Sequence, residues 1–118
     1  MDVHDLARAI DAAELTPPAL GHRAVGDVYA SNTMSDLIAH AEAQTVLATA
    51  LNNIQLVRVA ELMDVPALCL VGDATPGSDL IARAEAAGAA ILVSRRGLDE
   101  TVSAIRACIT AAGEAARR

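Results

Sequence analysis

TVLATALNNIQLVRVAELMDVPALCLVGD, residues 45–73, reads as strand, helix, strand. Thr45–Thr49 is short, apolar and rich in β-formers, and Ala67–Val71 is a second run of the same kind. Between them Ile54–Met63 has helical composition, and two parallel strands need such a crossover. Gln55, Arg58 and Glu61 form only a narrow polar stripe on that helix. Ile54, Leu56, Val57, Val59, Leu62 and Met63 occupy the rest of its circumference. A helix this apolar is expected to be covered on two sides, by the sheet and by another element or a second subunit.

Working outward, Asp27–Ala30 reads as a strand before this unit. Thr33 or Ser35 is the expected N-cap of a short helix over Asp36–Ala41. After the unit, Thr75 and Pro76 are expected to cap and open a helix running to Ala87, with Gly88 ending it. Ala90–Val93 is a further strand. Gly97 precedes a last helix carrying Leu98, Val102, Ile105, Ile109 and Ala112 on one face, and the tail 114–118 is expected to fray. At the front, Val3, Leu6, Ile10 and Ala13 mark a helix over Met1–Glu14, ended by Pro17-Pro18, and 19–26 is a connector. Alternating strands and helices predict a single α/β domain over 1–118: residues 1–26 as N-terminal helix and connector, 27–112 as core. The core is a mostly parallel sheet of about four strands flanked by helices.

The chain has 118 residues, 53% of them hydrophobic, yet Tyr29 is its one aromatic residue. The core must therefore come from Leu, Ile, Val and Ala. A net charge of −6 argues against nucleic acid and against anionic membranes, and a single tyrosine makes no base-stacking platform. All nine basic residues are arginine. Without lysine there is no Schiff base, no lysine base and no phosphate-loop lysine. Met1–Leu15 is amphipathic and acidic rather than basic and then apolar, so the expectation is a cytoplasmic protein without a secretory leader. Cys69 and Cys108 fall at apolar positions and are expected to be small buried hydrophobes.

Gly72-Asp73-Ala74-Thr75-Pro76-Gly77-Ser78-Asp79 has the glycine spacing of a phosphate loop. Ser78 stands where the lysine belongs and Asp79 would oppose a phosphate, so a turn is expected. His4, His22 and His40 lack partners at metal-ligand spacing; no metal or cofactor is expected, and no nucleophile–base pair is evident. What remains is a set of polar residues just past strand ends, where open parallel sheets bind ligands: Asn32, Ser35, Asn52, Asn53, Ser94 and Arg95. They could converge on one crevice for a nucleotide or other anion. The competing reading makes Asn52 a helix cap and 94–97 a solvated basic turn.

Four segments, Tyr29–Asp36 (YASNTMSD), Leu51–Val57 (LNNIQLV), Val65–Val71 (VPALCLV) and Ala84–Ser94 (AEAAGAAILVS), resemble the DRTGG domain family, specifically its stand-alone members. They are also similar to the N-terminal domain of HPr kinase/phosphorylase. The string that names the family is absent, and Ala50-Leu51-Asn52-Asn53 lies where it would start. The resemblance implies a non-catalytic regulatory or assembly module that pairs into homodimers. It also implies an enzyme partner such as a hydrogenase or electron-transfer subunit.

Overall fold

The strands are laid down by runs of β-formers whose side chains alternate in size. Along Thr45–Thr49, Ala67–Leu70 and Ala90–Val93, which become β3, β4 and β5, the residues Leu47, Leu68, Leu70, Ile91 and Val93 point to one face. Val46, Ala48, Ala67, Cys69, Ala90 and Leu92 point to the other. Every residue of these three strands is buried, so both faces of the sheet are covered. The computed structural model, which describes residues 1–117, shows the covering elements.

Strand β2 (Asp27–Ala30) pairs in parallel with β3, β3 with β4, and β4 with β5. The order β2-β3-β4-β5 therefore steps the same way each time. Right-handed crossovers taken in one direction place their helices on one face. Accordingly α2 (Met34–His40), α3 (Gln55–Met63) and α4 (Ser78–Ala86) share the large-residue face. The opposite face carries α1 (Val3–Ala9) and α5 (Leu98–Ala116), the latter running back over β2 and β3. Ala48, Ala67, Cys69 and Ala90 keep that face thin, which lets a long helix lie against it.

The N-terminal segment departs from the expected helix over Met1–Glu14. Asp2 caps α1 by accepting from the Asp5 N–H at 2.8 Å, but the helix ends at Ala9. Asp11 turns the chain with φ 56°, a left-handed conformation. Ala13–Glu14 then forms β1, an antiparallel edge strand with Ala13 opposite Val93, which makes the sheet five-stranded. Pro17 cannot donate, so the ladder stops there. Just before it, the buried Thr16 hydroxyl accepts from the Ile91 N–H at 3.2 Å. The connector holds a 3-10 turn over Pro18–His22.

Other boundaries shift by a residue or more. Helix α4 starts at Ser78 with Gly77 as its N-cap, two residues past the expected Pro76 start, so Thr75 does not cap it. Helix α2 starts two residues early, with Thr33 at its N-cap position but making no capping bond through its side chain. Gly88 ends α4 as expected, with φ 78°. Helix α5 continues to Ala116, through most of the tail expected to fray; Arg118 lies outside the described residues.

At the amino-terminal edge of the sheet, Arg23 acts as a clamp. Its guanidinium donates to the Val65 carbonyl at 3.0 Å, the Gly88 carbonyl at 3.3 Å and the Asp64 carbonyl, and pairs with the Asp64 carboxylate at 3.2 Å. At the outer edge, Asp27 Oδ1 accepts the Val28 N–H at 2.8 Å.

Candidate functional site

The carboxyl ends of the parallel strands carry the loops that hold the six polar residues singled out in the sequence. Asn32 Oδ1 accepts from the Ala50 N–H at 2.8 Å, binding the loop after β2 to the loop after β3. Asn52 Nδ2 donates to the Thr75 carbonyl at 3.3 Å, binding that loop to the one after β4. Gly72 and Asp73 N–H groups donate to the Arg96 and Ser94 carbonyls, each at 2.8 Å, which joins the last pair. The edge is laced from strand to strand. Asn53, rather than Asn52, serves the start of α3, accepting the Gln55 N–H at 2.9 Å. Ser94 is buried, with its hydroxyl 2.9 Å from that of Thr101. Ser35 is exposed on the first turn of α2.

These residues do not gather in one crevice. Strands β2 and β5 are three strand spacings apart, roughly 14 Å, so Asn32 and Ser94 belong to opposite ends of the edge. The helix that follows each strand changes face only between β4, followed by α4 on one face, and β5, followed by α5 on the other. Such a switch is where a crevice opens. A cleft of about 280 Å³ lies there, lined by Asp11, Ala12, Ala13, Asp73, Val93 and Arg95. Of the six expected residues, Arg95 alone lines it. Asp11 and Asp73 escaped sequence reading, since Asp11 sat inside an apparent helix. Asp73 read as turn chemistry, which its φ of 55° bears out.

The second feature is apolar. Leu56, Val57, Val59 and Ala60 of α3 are buried, and α2 and α4 flank the helix, so much of its unusual apolar circumference is used within the chain. The remainder is not. Leu62 is 83% exposed and Ile38 of α2 is 50% exposed. Between the two helices runs a groove of about 220 Å³ whose walls include Met34, Ile38, Val59, Leu62 and Met63, with Gln55 and Arg58 at its margin. Scattered single apolar residues are ordinary on a surface; these line one continuous groove. Ile38 was missed in the sequence, where Leu37 and Ile38 read as one apolar pair.

Nucleophilic chemistry finds little here. Burial pushes the Cys69 thiol up to about 12, and Cys69 and Cys108 are unpaired. Cys69 is the small buried hydrophobe expected, whereas Cys108 is half-buried. Among the described residues, no three His, Cys, Asp or Glu side chains stand close enough to hold a metal ion. No described helix is long and apolar enough to cross a membrane.

With this geometry in place, the chain can be set beside known proteins. It folds like a DRTGG-containing regulatory region. The match is to the crystal structure of the CBS and DRTGG domains of the regulatory region of Clostridium perfringens pyrophosphatase, complexed with the activator diadenosine tetraphosphate. The TM-score is 0.68 at 11% sequence identity, covering 87% of this chain and 45% of that one. At that identity the similarity is one of fold, and it supports the DRTGG-like architecture that the sequence resembles. No protein-family profile matches the chain, and no curated protein matches it.

Proposed function

We propose that this chain is a non-catalytic regulatory or assembly module that works as a homodimer on a metabolic or redox enzyme in the cytoplasm. The observation that carries the reading is the apolar groove between α2 and α3, with Leu62 83% exposed at its rim. Desolvating Leu62 would supply on the order of 1.5–3 kcal/mol, and the partly exposed Ile38 and Met63 roughly half that or less each. The fold adds support, because the similar pyrophosphatase segment is a regulatory region. By the family resemblance, the partner enzyme is a hydrogenase or an electron-transfer subunit. Light scattering at tens of micromolar tests the assembly: a dimer is expected, with Leu62→Asp giving a monomer of unchanged helix content. A wild-type chain that stays monomeric at that concentration refutes it.

A second reading has its own observation. The cleft at the β4–β5 switch is lined by Arg95 together with two acidic residues, Asp11 and Asp73. A small-ligand sensor would bind there rather than across Asn32 and Asn52, whose side chains already hold neighbouring loops, and Asn53, whose side chain is engaged at the start of α3. Two carboxylates disfavour a polyphosphate and suit a ligand with a cationic group beside an anionic one. Thermal-shift screening of nucleotides, diadenosine tetraphosphate and amino acids tests this. A ligand at 100 times its dissociation constant adds about 2.7 kcal/mol, and an Arg95→Ala variant should lose the shift.

A further inference from the structure

We infer that the occupant of the α2–α3 groove is a second copy of this chain, docked with its α3 antiparallel to the first. This deepens the proposed homodimer and rests on it. The argument is the charge pattern beside the groove. Arg58 and Glu61 are both exposed on α3, and neither has an oppositely charged group within 4.0 Å among the described residues. They stand three residues apart, about 4.5 Å along the helix axis, next to the protruding Leu62. A two-fold axis crossing α3 between them places Arg58 against the partner's Glu61 and Glu61 against the partner's Arg58. The stem of Arg58 then covers the partner's Leu62. In an isologous interface each such contact occurs twice.

A parallel docking does the opposite. It sets Arg58 against its own copy and Glu61 against its own copy, and like charges brought together across an interface oppose docking. The pattern thus selects one orientation. It also favours a second copy over a strongly charged stranger, because this stripe carries one charge of each sign while the chain as a whole carries −6.

Sedimentation velocity on the full chain tests the arrangement with four samples besides wild type: Arg58→Glu, Glu61→Arg, their equimolar mixture and the double variant. Both positions are exposed, so circular dichroism should show every variant folded. Each single reversal is expected to raise the dimer dissociation constant at least ten-fold. The mixture should recover dimers that native mass spectrometry identifies as mixed, and the double variant should recover homodimers. If wild type dimerises and neither reversal weakens it, this docking is wrong while the homodimer stands. If wild type is a monomer of 12.1 kDa, both fall together.

Discussion

Asn32 illustrates how a residue can be found in sequence and misjudged in role. Its place after a strand is plain from the residues around it. What the sequence cannot give is that the neighbouring strand ends with an amide, that of Ala50, 2.8 Å from the Asn32 side-chain Oδ1. Asn32→Ala should cost about 1 kcal/mol, read as a lower urea midpoint with unchanged slope, and Asn32→Asp should retain most of it. Cys69 is the opposite case, since its apolar setting was legible and fixes its chemistry. Desolvation raises its folded-state value above the ordinary 9.0, to about 12. The stability this confers is complete below about pH 9 and declines as the pH rises toward 12. The slope there is up to about 1.4 kcal/mol per unit for this one group. Urea melts between pH 8 and 11 should show the decline, and Cys69→Ala should flatten it. Below pH 9, Cys108 should react with a disulfide reagent in the native protein while Cys69 waits for unfolding.

Among the elements, those of the central strand–helix–strand unit were legible almost to the residue, because two short continuous runs of β-formers flank a segment of helical composition. The first fourteen residues were not. Val3, Leu6 and Ile10 do face the core as a helical stripe requires, but Ala13 satisfies a helix and a strand equally well. The deciding event is the left-handed turn at Asp11, which no hydrophobic pattern announces. Asp11→Gly should be tolerated, whereas Asp11→Val should lose about 1 kcal/mol and loosen β1, visible as faster amide exchange at Leu15. The Arg23 clamp was equally hidden, since it joins residues 41 to 65 positions apart. It gathers the carboxyl-terminal ends of α3 and α4, where unpaired carbonyls accumulate. Arg23→Ala is expected to destabilise the fold by about 2 kcal/mol in urea titration. Arg23→Lys should fail to rescue it, because a single ammonium cannot copy the guanidinium fork.

For the whole molecule, the fold class followed from alternation, while the one-directional strand order did not. That order depends on which neighbour each strand chooses. It leaves three helices on one face and makes the switch at β4–β5 the place where a cleft opens. The same crowding explains why α3 is so apolar: α2 and α4 take up most of its circumference and only the strip around Leu62 is left over. Leu62→Asp should therefore abolish self-association while moving the unfolding midpoint of the isolated chain by no more than about 0.5 kcal/mol. The two borders of the sheet finish differently. Beyond β5 the short β1 closes the ladder before Pro17. Beyond β2 lies no further strand among the described residues, and there Asp27 occupies the outward Val28 amide with its own carboxylate. An incoming extended peptide would meet a filled donor and a negative charge, which is how exposed sheet margins avoid fibril growth. Asp27→Ala should remove that guard, with earlier thioflavin fluorescence on prolonged incubation even where the melting temperature is unchanged.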